Sequence, residues 1–176
     1  MTRTKTLLLA GAAIALGAMP AVADGWKAEP FTQSMDQRGG NVGDFTYEGV
    51  RVWTTNDDAP QIRFGCSERF GLTASVTFLP ISQTDPDKNQ RIKLRQMTTT
   101  MKIEGRKPES VPWTFVRETR TVQTRSRKHA AMIYNAVVQG QPITIKEPRK
   151  KNVTIVPAPS DSSFAWFTKN CPITSG

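Results

Sequence analysis

The chain has 176 residues, with 24 Lys and Arg against 15 Asp and Glu, one His and two Cys, for a formal net charge of +9. That length supports a single domain with a real hydrophobic core. One histidine and two cysteines leave few ligands for a zinc centre, and no segment after residue 23 is apolar enough to span a bilayer.

The chain opens "MTRTKTLLLAGAAIALGAMPAVADGW": Arg3 and Lys5 precede an uncharged apolar run from Thr6 to Met19, and Ala21, Val22 and Ala23 follow Pro20. This is the three-part layout of a secretory signal peptide, with cleavage expected after Ala23. A retained anchor helix is the alternative. The run falls short of the roughly 20 apolar residues an anchor needs and ends directly in an A-x-A site. No Cys follows the cleavage site, which disfavours a lipoprotein. The mature chain of 153 residues, with a net charge of +7, is expected in the periplasm or secreted, not spanning a membrane. Residues 24–49 read as an N-terminal segment and residues 50–176 as one domain.

Period-two alternation, the mark of a strand with one buried face, recurs along that domain. It places Val50 and Val52 together in "YEGVRVWTT", Ile62, Phe64 and Cys66 in "QIRFGCS", and Leu72, Ala74, Val76 and Phe78 in "LTASVTFLPI". In "RIKLRQMTTTMKIEG", Ile92 and Leu94 have one parity while Met97, Thr99, Met101 and Ile103 have the other, which predicts a bulge or a break. The segments "PWTFVRETRTV", "PITIKEP" and "NVTIVPAP" bring the total to seven or eight strands, separated by turns rich in Asp, Asn, Gly and Pro.

Two helices interrupt the strands. After Ser126, an N-cap candidate, Ala130, Ile133, Tyr134, Val137 and Val138 recur at helical spacing, and Gly140 stands at the C-terminal cap position. A shorter helix is expected from about Ser160, with Asp161 in its first turn, Phe164, Phe167 and Cys171 on one stripe, and Pro172 as the stop. The order predicts a mainly β fold: an antiparallel β-sandwich with one amphipathic helix and a short C-terminal helix.

Export puts Cys66 and Cys171 in an oxidising compartment, where an even count favours a disulfide. The alternatives are a nucleophilic cysteine or a metal-binding pair, and neither residue has a CxxC partner.

A Cys-bearing early strand, the basic "RIKLR", Trp113 after a Pro-rich turn, a helix ending in Gly before "ITI", and the closing "NVTIVPAPSDSSFAWFTKNC" together resemble the small exported proteins of the invasion-associated-locus-B and VasI type. The shared layout covers most of residues 50–171. It implies a periplasmic β-sandwich with a structural disulfide, linked in some relatives to envelope or secretion functions, and it transfers no catalytic residue.

Catalytic patterns are sparse. His129 stands at a helix start beside Arg127 and Lys128 and reads as a solvated first-turn residue. A Ser-His-Asp triad needs no adjacency in sequence, but no G-x-S-x-G elbow occurs. The pairs Asp57 with Asp58 and Asp85 with Asp87 lie in turn-like, Pro-flanked segments. Asp85, Asp87 and Asn89 begin like a calcium loop, yet Gln90 replaces the required Gly and Gln96 the bidentate Glu. No metal and no cofactor are expected.

Charge is segregated. Residues 24–90 carry six basic and ten acidic side chains, whereas residues 91–151 carry fifteen basic and four acidic. The candidate binding face comprises Arg91, Lys93, Arg95, Arg117, Arg120, Arg125, Arg127 and Lys128. Genomic nucleic acid is absent from the periplasm, and the basic stretch lacks interleaved aromatics for base stacking. The expected partner is an envelope protein or an anionic envelope polymer or lipid surface; the bland alternative is a face that only aids solubility. The expected function is that of a non-catalytic periplasmic binding or accessory protein of the bacterial cell envelope. A small exported hydrolase with an unrecognised site is the alternative.

Overall fold

A computed structural model of the chain describes residues 25–35, 45–56, 60–78, 94–116, 119–146 and 152–171. The leader expected over residues 1–23 and the acidic pairs at 57–58 and 85–87 lie outside them.

The described strands are β1 (Trp26–Met35), β2 (Phe45–Thr54), β3 (Gln61–Ser67), β4 (Gly71–Thr77), β5 (Leu94–Ile103), β6 (Glu109–Val116), β7 (Thr121–Thr124), β8 (Ile143–Lys146) and β9 (Asn152–Ile155). Helix α1 (Arg127–Val138) follows β7, and α2 (Ser162–Asn170) follows β9. The mainly β fold with two helices is as expected. The described ladders run continuously and antiparallel in the order β1-β2-β3-β4-β7-β6-β5-β8-β9.

Alternation along the strands sends apolar side chains to one face. Ile62, Phe64 and Cys66 of β3 and Leu72, Ala74 and Val76 of β4 are buried, while Arg63, Gly65, Thr73 and Ser75 occupy the opposite positions. The same buried cluster receives Met101 and Ile103, Val111 and Trp113, Val122, and Ile143 and Ile145 from the other half of the sheet. Helix α1 adds Ala130, Ile133, Ala136 and Val137, and α2 adds Phe164 and Phe167. Phe64 lies at the centre of an aromatic group, with its ring 5.7 Å from Tyr134, 6.1 Å from Phe164 and 6.4 Å from both Trp26 and Phe167. Phe64, Phe164 and Phe167, each fully buried, contribute on the order of 1.5–3 kcal/mol of transfer free energy apiece.

Both helix ends follow from their sequences. Gly140 adopts φ 65°, its N–H donates to Val137 O at 3.0 Å, and the Gln141 N–H donates to Ala136 O at 2.8 Å, closing α1 in the left-handed turn that glycine permits. Asp161, expected inside the first turn of the second helix, is its N-cap and accepts the Phe164 N–H at 3.0 Å. Its second carboxylate oxygen accepts the Trp26 N–H at 3.0 Å, tying the start of β1 to α2. The Cys66–Cys171 disulfide, with Cα atoms 5.5 Å apart, fixes the end of α2 to β3.

Two sequence readings change. The parity shift between Leu94 and Met97 predicted a bulge or a break, but β5 stays in register with β6 from Leu94 opposite Val116 to Met101 opposite Glu109. Leu94 points outward and is 64% exposed, so apolar residues simply occupy both faces of an unbroken strand. The described residues of the N-terminal segment 24–49 belong to the sheet as well: β1 pairs with β2 over ten positions, and β2 runs through residue 50 into the β3 ladder.

Candidate functional site

Of the eight basic residues proposed as one face, Arg91, Lys93 and Arg117 lie outside the described residues. The other five fall into two groups at opposite ends of β7. Arg120 immediately precedes that strand, with φ 48°, and Arg95 lies near the same end, two strands across through Phe115. Arg125, Arg127 and Lys128 follow the strand. Five residue steps separate Arg120 from Arg125, about 16 Å of extended chain.

The second group meets the turn between β3 and β4. The Arg125 guanidinium lies 4.9 Å from the centroid of the Phe70 ring, and that of Arg69 lies 5.8 Å from the same ring. Arg127 packs on Gly71, which needs its φ of 64° for the turn; a Cβ there would stand 3.1 Å from Arg127 Nε. Lys128 Nζ pairs with Glu109 Oε2 at 3.1 Å. Four cations thus converge where α1 begins, and the first turn of α1 holds no acidic residue. This arrangement sets positive side chains against the positive end of the helix dipole.

His129, expected to be solvated, has a side chain only 12% exposed. Its ring folds back so that Nδ1 meets Ser126 Oγ at 2.9 Å, while Nε2 stands 3.7 Å from Glu109 Oε2. Ser126 makes no side-chain cap bond to α1 because its hydroxyl is turned to this ring. The row Ser126, His129, Glu109 has the composition of a hydrolytic relay. However, the carboxylate lies beyond hydrogen-bond distance of the imidazole and is shared with Lys128, and Ser126 stands at the local spacing of a helix cap. Among the described residues, no three His, Cys, Asp or Glu side chains gather to hold a metal ion.

A second surface lies on the sheet face away from the helices, where a cavity of about 480 Å³ spans β1, β2, β3, β4 and β7. Gly65 stands between Arg51 and Thr73 in register; a Cβ there would come within 3.0 Å of Thr73 Oγ1, so the missing side chain deepens the floor. Arg51 Nε donates to Glu29 Oε1 at 2.7 Å, and its Nη2 bonds the same oxygen. Its guanidinium also lies 6.0 Å from the Phe31 ring and 5.5 Å from that of Trp53. Arg63 lies over the other part of this assembly, 5.8 Å from the Trp53 ring. Among the described residues no carboxylate pairs with Arg63. Burial, and then the neighbouring Arg51 charge, hold its pKa below the usual arginine value, with Glu29 opposing them.

The opposite wall is made of hydroxyls: Thr77 Oγ1 meets Thr121 Oγ1 at 2.9 Å, and the Thr119 hydroxyl donates to Thr121 Oγ1 at 2.9 Å. Gln33 and Gln123 add amides, and the Tyr47 hydroxyl donates to Gln33 Oε1 at 2.7 Å. The sequence reading missed this groove. Its only trace there is the outward parity of Arg63, Thr73, Ser75 and Thr77 within strands whose other positions are apolar.

No family model, curated protein or solved structure matches this chain. Among the described residues no helix is long and apolar enough to cross a membrane.

Proposed function

We propose that this chain is a non-catalytic periplasmic binding or accessory protein of the bacterial cell envelope, docking on an anionic surface through the basic cluster at the start of α1. One observation carries the reading: Arg69, Arg125 and Arg127 converge on the Phe70–Gly71 turn, with Lys128 next along the helix, at the positive end of a helix whose first turn lacks an acid. Local preference is broken there, since cations belong at the other end of a helix, and a phosphate brought to the cluster relieves the conflict. The leader-like N-terminus, the disulfide and the layout shared with small exported proteins support the compartment.

The test is co-sedimentation of the mature chain with vesicles containing phosphatidylglycerol or lipopolysaccharide, against neutral phosphatidylcholine. Three or four phosphate contacts predict a loss of affinity on the order of tenfold or more between about 50 and 200 mM salt. Replacing Arg125, Arg127 and Lys128 with Gln should abolish the association. Equal binding of variant and wild type, or binding insensitive to salt, overturns the reading.

A further inference from the structure

The groove on the helix-free face of the sheet is separate from the basic cluster and has its own chemistry. We infer that it binds a sugar bearing one anionic group, with Arg63 gripping the charge while Thr77, oriented by Thr121, and Gln123 bond the sugar hydroxyls.

Three features support this. First, the charges do not balance: Arg51 is held by both of its bonds to Glu29, and beside it Arg63 has, among the described residues, the face of Trp53 and no paired carboxylate of its own, feeling Glu29 at longer range. Two guanidinium groups facing one carboxylate form a site that an incoming anion completes, and the planar fork of arginine suits a carboxylate or a phosphate equally. Second, Arg63 stands in register with Ser75, and Ser75 with Gln123, so the cation faces a wall of uncharged hydrogen-bonding side chains rather than more charge. Thr121 Oγ1 accepts from Thr119 Oγ1 and donates to the Thr119 carbonyl, so it accepts from Thr77 and orients it, and the Thr77 hydroxyl keeps its acceptor capacity, as sugar recognition requires. Third, the size is right. About 480 Å³ falls within the range of small-molecule sites, and the gap over Gly65 gives a ring access to the floor. An extended polyanion is a poorer match, because the charge is concentrated at one arginine pair while the rest of the wall is neutral.

The experiment is calorimetric titration of the mature chain, with Trp53 fluorescence as a second signal, using a galacturonate trisaccharide, glucose 6-phosphate and neutral maltotriose. Saturable binding of either charged probe, at least tenfold tighter than maltotriose, is the expected result. Which of the two binds tells whether the natural anionic group is a carboxylate or a phosphate. Arg63→Gln should weaken that binding more than tenfold, and Gly65→Val, which fills the floor, should do likewise; thermal melts check that both variants remain folded. Thr77→Val with Thr121→Val should lower affinity for the charged sugar but not for the bare anion, galacturonate being compared with acetate or glucose 6-phosphate with inorganic phosphate. The Arg125, Arg127 and Lys128 triple variant should titrate like the wild type, so failure of vesicle docking and failure of the groove are distinguishable. No binding of either charged sugar, equal binding of maltotriose, or unchanged affinity in a folded Arg63→Gln protein overturns the inference.

Discussion

Replacing Cys66 and Cys171 together with Ala tests how the C-terminus is held. The bridge joins residues 105 apart in sequence, so the oxidised unfolded chain carries a loop of about that length. On the chain-entropy model, closing it removes about 4–5 kcal/mol of unfolded-state freedom. Both cysteines are nearly inaccessible, at 2% and 4% exposure, so the loss of packed sulfur adds to the cost. For a chain of this size that total corresponds to a fall in thermal midpoint of about 10–20 °C. The fold should survive at room temperature, because Phe164 and Phe167 still pack on Phe64 and Asp161 still caps α2. Guanidinium unfolding of the variant and of the oxidised and reduced wild type, followed by far-ultraviolet circular dichroism, gives the number. A loss below about 1 kcal/mol would refute the argument, since it would mean that the bridge closes no loop that the unfolded chain would otherwise explore.

Other substitutions probe separate parts of the structure. Asp161→Ala removes the acceptor for both Phe164 N–H and Trp26 N–H and should cost about 1–2 kcal/mol in chemical denaturation. Gly49→Ala would push a Cβ into the Cys66 carbonyl and to 2.8 Å from the Phe31 ring; a loss of about 2–3 kcal/mol is expected, and a stability equal to wild type would show that β1 and β2 are not packed as described. Arg127→Gln lifts one cation from the positive end of α1 and should raise stability by about 0.3–0.5 kcal/mol while weakening vesicle binding, a pairing of opposite signs that a purely structural arginine would not give.

The elements legible in the sequence were those whose own residues determine them. Helix α1 announces itself through Ala130, Ile133 and Val137 and through Gly140, and β3 and β4 through strict alternation. Strand β1 was missed because "WKAEPFTQSM" carries Pro30 and little alternation; among the described strands it lies at the edge, paired with β2 alone, where a proline is tolerated. The basic residues could be counted but not arranged, because their spatial grouping depends on β7 lying between Arg120 and Arg125. The groove was hidden for a related reason: Arg51, Arg63, Ser75 and Gln123 come from four strands, and nothing local to β4 says that its neighbour is β7, more than forty residues later. Alternation tells which side chains share a face, and only strand order tells which of them meet.

Strand β7 therefore sets both candidate surfaces, though only four residues long. Val122 and Thr124 point into the core, Thr121 and Gln123 into the groove, and the chain then passes directly to Arg125 and α1. A slip of one residue would exchange the two sets, so something must fix the register. Val122 does so by burial, and Thr124 by a hydrogen bond: its hydroxyl, 1% exposed, accepts the Ser126 N–H at 3.2 Å just where the strand becomes a helix. Thr124→Val preserves shape and removes that acceptor, leaving a donor at the helix start without its partner, at a cost of about 1–3 kcal/mol. The damage should be local to the junction. Amide exchange should quicken at Ser126 and at Ala130, whose N–H bonds the Ser126 carbonyl at 2.9 Å, while amides of β3 and β4 keep their protection. Unchanged exchange at Ser126 would show that β7 is held by burial of Val122 alone and that the hydroxyl contributes nothing to the register.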